Sequence, residues 1–289
     1  MEKIKLYARA KINLILDVVG KLDNGYHDLN MIMQTIDLTD KIFIKKTFNN
    51  SIKLDTNIYW LPTDEKNLVY KVAQFLKQEY NIKYGMYINL DKKIPICAGL
   101  AGGSTDAAAT LIGIRNLFKL PISNEELLKI GEKFGADIPF CIKRGTYLAS
   151  GIGEKLTKVS SFPYSYILIA KPYVSLSTEE VFKEFNIKNV KTKPDIEKFI
   201  YYLEKQNLEQ ISKNLFNALE TISIEKYPVI QDLKDIMLKN GALGSLMSGS
   251  GSAVFGIFRD KRQAIIAKNS LIRSMKVKDV FLTRPFNAK

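Results

Sequence analysis

Ile94-Pro95-Ile96-Cys97-Ala98-Gly99-Leu100-Ala101-Gly102-Gly103-Ser104-Thr105-Asp106 runs straight into Ala107-Ala108-Ala109 and an apolar stretch reaching Phe118. A helix start leaves four backbone N–H groups without partners and carries about half a unit of positive charge, so glycines leading into one can close on a polyphosphate. A side chain at those positions would hold the backbone away from the anion. The alternative reading is a Gly-rich turn with Ser104 or Thr105 as an ordinary cap. The spacing is not the G-x-x-x-x-G-K-[ST] of a P-loop, and no G-x-G-x-x-G occurs in the chain. P-loop NTPases, Rossmann dehydrogenases and eukaryotic-type kinases are thereby disfavoured.

Working outward, residues 87–90 read as a short strand. Asp64 can cap a helix whose apolar positions Leu68, Val69, Val72, Ala73 and Leu76 keep 3–4 spacing to Tyr80. Residues 3–19 read as two strands broken near Arg9-Ala10, followed by a turn at Asp23-Asn24-Gly25 and a strand over 31–44. Downstream, Ser123 and Glu126 form a capping box for a helix to Phe134, which Gly135 stops, and Asp137 follows. Residues 146–153 read as a Gly-rich bend, so a domain boundary is expected near residue 155, giving domains 1–155 and 156–289. The second half then reads as a strand over 164–170, a helix capped by Ser177 or Thr178 through Phe182, a long helical region over 195–220, and a helix over 230–239 closed by Gly241. A second Gly/Ser-rich loop, 244–252, precedes a strand over 253–258, a helix from Lys261 and a strand over 278–284. Strands and helices interleave in both halves, so the class is α+β or α/β.

With 289 residues, 46% hydrophobic and 25% charged, the chain is long and apolar enough to bury a core. Two cysteines, Cys97 and Cys141, without a C-x-x-C pair, and the single His27 argue against structural zinc, iron–sulfur clusters and a disulfide framework. The net charge of +13 draws anions in. Basic residues form only short clusters such as Lys45-Lys46 and Lys92-Lys93, unlike a nucleic-acid arm, and a solvated lysine-rich surface is the simpler reading. No apolar stretch approaches 18 residues, and Met-Glu-Lys-Ile-Lys-Leu is no signal-peptide core. A soluble, cytoplasmic setting is expected, with neither membrane nor nucleic acid as partner.

Phosphoryl transfer to an alcohol needs a carboxylate to take or orient a proton, with cations and amides to hold developing charge. Asp137, after a helix stop and before Ile138-Pro139, and Lys11, interrupting an apolar strand, are the candidates. The alternative for each is a structural ion pair or turn cap. Tyr26-His27 beside Asn24-Gly25 forms an aromatic pair suited to stacking a base and bonding its edge. A surface histidine and a half-buried Phe182 are the plainer readings of that pair and of Phe182-Lys183.

The order of these pieces resembles the GHMP small-molecule kinases, over essentially the whole chain. The likeness rests on Ala10-Lys11-Ile12-Asn13-Leu14, Gly25-Tyr26-His27 with Met33-Gln34, the run from Gly99 to Asp106, Gly135-Ala136-Asp137-Ile138-Pro139-Phe140, and Met247-Ser248-Gly249-Ser250-Gly251. Ala-Lys-Ile-Asn with Gly-Tyr-His is similar to the branch that phosphorylates the 2-hydroxyl of a cytidine diphosphate-linked methylerythritol in non-mevalonate isoprenoid synthesis. Two departures are Ala101 where many members carry glycine, and Ala218 after Asn217 where an acidic residue is frequent. The resemblance implies a two-domain α+β fold, with an N-terminal ATP domain containing a βαβ unit, a ferredoxin-like C-terminal domain and catalysis in a cleft between them. It implies that Asp137 accepts the hydroxyl proton, with Lys11 as its cationic partner helping to neutralise the transferred phosphoryl. Pro95, Ile96, Cys97, Ala98, Gly99, Leu100, Ala101, Gly102, Gly103, Ser104 and Thr105 would wrap the phosphates of ATP. Tyr26, His27, Phe182 and Lys183 would grip the cytidine, with Asn13 and Thr178 nearby. Magnesium is expected as the counter-ion of ATP, and no pair of carboxylates identifies its ligands, Ser104 being one candidate. The competing expectations are a GHMP kinase for homoserine, mevalonate or a sugar, and a basic RNA- or DNA-binding protein of related topology.

Overall fold

A computed structural model describes residues 2–23 and 25–288; Asn24, in the turn expected at 23–25, lies outside the described residues. The chain forms two compact units that interleave in sequence. The first comprises the residues up to Ala10, Leu38–Ile96 and Ala101–Lys143; the second comprises Lys11–Asp37, Cys97–Leu100 and the chain from Arg144 on. Two long strands, β1 (Lys3–Lys21) and β2 (His27–Thr47), run through both. The break expected near Arg9-Ala10 is absent, and β1 is one strand. Lys11 does not interrupt it because its amide donates to Leu100 O (3.1 Å) and its ammonium to Asn13 Oδ1 (2.6 Å), so a buried polar residue is satisfied in place.

In the first unit, β3 (Ile52–Thr56), α1 (Leu68–Glu79) and β4 (Gly85–Asp91) make a βαβ unit, with β3 parallel to β4 and β4 antiparallel to β2 over Lys41 to Thr47. The sequence reading lacks β3, whose Lys53 and Asp55 leave only Leu54 buried. Asn67 caps α1, accepting from Val69 N, whereas Asp64 closes the preceding turn by accepting from Lys66 N. That moves the helix start from the expected position. Helix α2 (Gly102–Leu117) packs closely on the sheet, since a Cβ at Gly113 would lie 2.7 Å from Leu6 Cδ1 and 2.8 Å from Ile44 Cδ1. Ser123 caps α3 (Asn124–Glu132) as expected, accepting from Glu126 N. A further short helix, α4 (Ile138–Lys143), was not expected, because Pro139 reads as a helix breaker yet is tolerated in a first turn.

A buried ion cluster ties these elements together. Lys92 Nζ lies 2.5 Å from Asp40 Oδ2 and 2.7 Å from Asp106 Oδ2, all three side chains being buried, and Asp40 Oδ1 also accepts the amides of Lys93 (2.5 Å) and Ile94 (2.7 Å). Burial works against the Lys92 charge, but Asp106 and Asp40 outweigh it and raise its pKa. Burial, then the neighbouring Asp40 charge, pushes the Asp106 carboxyl well above the usual carboxylate range against the pull of Lys92. Its Oδ1 finds no hydrogen-bond partner among the described residues.

In the second unit the expected bend at 146–153 is instead strand β5 (Thr146–Gly151), antiparallel to β2 over Leu29 to Gln34 and to β6 (Lys155–Lys158). The glycines are confined to its end, where Gly151 and Gly153 take φ of +73° and +113°. Strand β7 (Tyr166–Pro172) is followed by α5 (Thr178–Glu184), which Ser177 caps. The single helical region expected over 195–220 is divided into α6 (Ile196–Glu204), α7 (Leu208–Lys213), β8 (Phe216–Asn217) and the start of α8 (Glu220–Lys226). Gln206, at φ +52°, breaks the first helix and Asn207 caps the next by accepting from Gln210 N. Helix α9 (Val229–Lys239), β9 (Gly244–Met247), β10 (Val254–Phe258), α10 (Lys261–Arg273) and β11 (Val277–Thr283) complete the unit. The expected 244–252 loop is thus half strand. The order β11-β7-β10-β9, antiparallel throughout, is the ferredoxin-like arrangement expected. Among the described residues no helix is long and apolar enough to cross a membrane.

A group with a raised folded-state pKa adds stability that is present below its unfolded value and lost as pH rises through the folded one. Asp106→Asn removes that loss while keeping the shape. Its unfolding temperature relative to the native chain should therefore climb as the pH rises above about 4, the unfolded carboxyl value, as followed by thermal melts; a constant difference would show that Asp106 does not titrate anomalously.

Candidate active site

Helix α2 begins without a side-chain cap: Ala101 stands at the N-cap in the left-handed region, φ +55°. Such a start leaves early amides available to an anion. The first-unit residues expected around phosphates, Pro95, Ile96 and Ala101 to Thr105, include the beginning of this helix, where Thr105 is fixed by donating its hydroxyl to Arg9 O (2.6 Å). The Lys92 ammonium lies directly below, 3.1 Å from where a Cβ on Gly102 would stand. A Cβ at Gly102 would also lie 3.2 Å from Ile94 Cγ2, so the packing beneath favours glycine there.

Cys97, Ala98, Gly99 and Leu100 belong to the second unit, where they are joined backbone to backbone with the other Gly/Ser-rich loop. Ala253 N donates to Ala98 O (3.2 Å), and Ser248 Oγ donates to Gly99 O (2.9 Å). A Cβ at Gly99 would lie 1.9 Å from Ser248 O, and one at Gly249 3.0 Å from Gly99 O. Gly99 also needs its glycine for φ +72°, beside Cys97 at +51°. Leu100 O accepts the amide of Lys11, so the same short segment reaches the strand that carries Lys11 and Asn13.

Lys11 and Asn13, two residues apart on β1, share a face, are both buried and bond each other, and Asn13 Nδ2 reaches Met31 Sδ (3.4 Å). Asp137 belongs to the first unit, half-buried, immediately before α4, with its carbonyl accepting Cys141 N. Its position is set by the close packing of α4 on α3, where a Cβ at Gly131 would come 2.7 Å from Ile138 Cγ2.

At the start of β2, the His27 ring lies 5.2 Å from the Phe182 ring at an interplanar angle of 31° and meets Phe185 edge-on at 6.0 Å. Burial, then the nearby Lys21 charge, lowers the His27 pKa, which favours the neutral imidazole that can both donate and accept. Tyr26 and Lys183 are exposed on either side in sequence. The Thr178 and Ser250 hydroxyls are hydrogen-bonded at 2.8 Å, linking α5 to the Gly/Ser loop. The resemblance assigns His27 and Phe182 a common role, and the two rings lie against each other; the sequence reading lacks Phe185, whose spacing from Phe182 carries no motif. It also lacks Lys171, buried at the end of β7. Lys171 donates to Pro172 O (3.0 Å) and Val174 O (2.5 Å) and so holds the turn that leads into α5. Among the described residues no group of three or more His, Cys, Asp or Glu could hold a metal ion.

Known families match both halves of the chain: the GHMP kinases N terminal domain over residues 67–145 and the GHMP kinases C terminal domain over 199–277. A 4-diphosphocytidyl-2-C-methyl-D-erythritol kinase of Lachnospira eligens is 44% identical over 99% of both chains, and one of Lachnoclostridium phytofermentans is 47% identical over 100% of this chain and 99% of its own. A crystal structure of 4-(cytidine 5'-diphospho)-2C-methyl-D-erythritol kinase superimposes with a TM-score of 0.84 at 26% identity, covering 99% of this chain and 100% of the other.

Gly99→Ala forces the two loops apart, and overpacking of this kind costs about 1–3 kcal/mol. Its denaturation midpoint should fall accordingly; an unchanged midpoint would show that the Gly99–Ser248 contact is not made.

Proposed function

Because the chain belongs to the 4-diphosphocytidyl-2-C-methyl-D-erythritol kinase family of the GHMP small-molecule kinases, we propose that it transfers the γ-phosphoryl of ATP to the 2-hydroxyl of 4-diphosphocytidyl-2-C-methyl-D-erythritol, a step of non-mevalonate isoprenoid precursor synthesis. Similarity to kinases of that name over essentially the full length of both chains carries this reading. The two family matches fall on either side of residue 155, which supports an ATP-binding half over 1–155 and a C-terminal half over 156–289.

In the reaction the substrate hydroxyl oxygen forms a bond to the γ-phosphorus, the bond from that phosphorus to the bridging oxygen breaks, and ADP leaves. The Asp137 carboxylate takes or orients the hydroxyl proton, and a loose transition state asks for little proton removal early. Lys11, buried and held on Asn13, brings positive charge to the phosphoryl oxygens. The segment from Pro95 to Thr105 wraps the phosphates, using the amides at the uncapped start of α2. Magnesium, arriving on ATP, would neutralise phosphate charge. A set of donors without a carboxylate cage suits an ion held chiefly by phosphates and water, with the Ser104 hydroxyl as the protein oxygen at hand. Tyr26, His27, Phe182 and Lys183 hold the cytidine: the aromatic faces stack the base, and a neutral His27 has both a donor and an acceptor for its edge. Asn13 and Thr178 serve the remainder of the alcohol.

Asp137→Asn and Lys11→Ala should each lower turnover on the order of 10²-fold or more with the unfolding transition retained. Their double mutant should lose less than the product of the two, since groups acting on one step are non-additive. Near-normal turnover in either single variant would remove that residue from the mechanism. His27→Ala should raise KM for the cytidylated alcohol with KM for ATP little changed; equal losses would refute its place in base recognition.

A further inference from the structure

Asn217, in the two-residue strand β8, is buried, and its carboxamide is bonded through both its nitrogen and its oxygen. Nδ2 donates to both Met247 O and Gly249 O at 2.8 Å, while Oδ1 accepts Leu219 N at 3.0 Å. The amide of Met247 is held in turn by Glu220 Oε1 (2.7 Å), whose other oxygen is paired with Lys234 (2.6 Å). One side chain therefore fixes alternate carbonyls of the loop from Met247 to Gly251, and a second fixes its entrance.

That loop touches two things the reaction needs. Ser248 donates to Gly99 O, in the segment assigned to phosphates, and Ser250 bonds Thr178, at the start of the helix carrying Phe182 and Lys183. Strand β8 is itself registered on β1, Asn217 opposite Leu16, with Ala218 N donating to Leu16 O. The loop thus has an anchor in the core and a hydroxyl contact toward each substrate.

We propose that Asn217 is a positioning residue that sets the nucleotide and alcohol sites together, acting through Ser248 on the one and Ser250 on the other. This rests on the two sites of the proposed function. A carboxamide is required because both loop contacts are carbonyl oxygens, so an aspartate of the same shape would turn two attractions into repulsions. Ser248→Ala and Ser250→Ala each remove one arm and leave the anchor.

The test measures equilibrium binding of a non-hydrolysable ATP analogue and of 4-diphosphocytidyl-2-C-methyl-D-erythritol by calorimetry, beside the melting temperature of each variant. Asn217→Asp should weaken both ligands by about tenfold, Ser248→Ala the nucleotide alone and Ser250→Ala the alcohol alone. A lowered melting temperature with both affinities within about twofold of native would make Asn217 merely structural and overturn the proposal. Equal effects of the two serine variants on both ligands would overturn it as well. If Asn217→Asp does not fold, the split between the serine variants decides. If the native chain binds the nucleotide but not the cytidylated alcohol, the functional reading fails, and the nucleotide arm read through Asn217→Asp and Ser248→Ala still decides the inference.

Discussion

Contact between two stretches of bare backbone governs the candidate site. Gly99 and Gly249 meet where neither has room for a Cβ, and Ser248 closes the contact with its hydroxyl on Gly99 O. Backbone this close is possible only with glycine, and it leaves little freedom to shift. The neighbouring Cys97 and Ala101 take left-handed conformations that side chains disfavour, so the segment between them is held in a shape it would not choose alone. Holding it requires partners outside the segment, which Ala253 N, Ser248 and the amide of Lys11 supply.

The start of α2 is held by different means. A single buried ammonium, Lys92, lies between Asp40 and Asp106, and Asp40 also takes the two amides at which the chain turns toward the glycines. A buried charged cluster is a weak source of stability but a demanding geometric constraint, since every member must find its partners. Position, rather than binding energy, is what a phosphoryl-transfer site has to provide, because the chemistry asks mainly for alignment and charge.

Much of this was legible in the sequence. The Gly-to-Ala transition at 99–109 announces α2, and Ser123 with Glu126 announces α3, since caps and glycines act through local geometry that neighbouring residues alone determine. The apolar pattern over 3–19 placed Lys11 and Asn13 on the strand that carries them, whereas His27, read in the loop before a strand over 31–44, stands at the first position of β2. What was missed depends on distant partners. Strand β5 looked like a bend because its glycines fall at its end, and it is a strand through its pairing with β2 and β6. The division of 195–220 turned on one residue at positive φ, Gln206, and on Asn207, whose capping role competes with an apolar pattern that runs on past it. Asn217 stood out in the sequence only for the Ala218 that follows it, because nothing near it reveals that its carboxamide meets a loop thirty residues away.

The net charge of +13 and the two loops suit anionic substrates, and His27 against Phe182 gives a reason for a nucleobase that a bare alcohol or sugar substrate would not need. The most direct measurement is ATP turnover by the purified protein with 4-diphosphocytidyl-2-C-methyl-D-erythritol, beside homoserine, mevalonate and galactose. The account predicts phosphorylation of the cytidylated alcohol and of none of the other three. Preferential turnover of any of the others, or turnover of none, would contradict it.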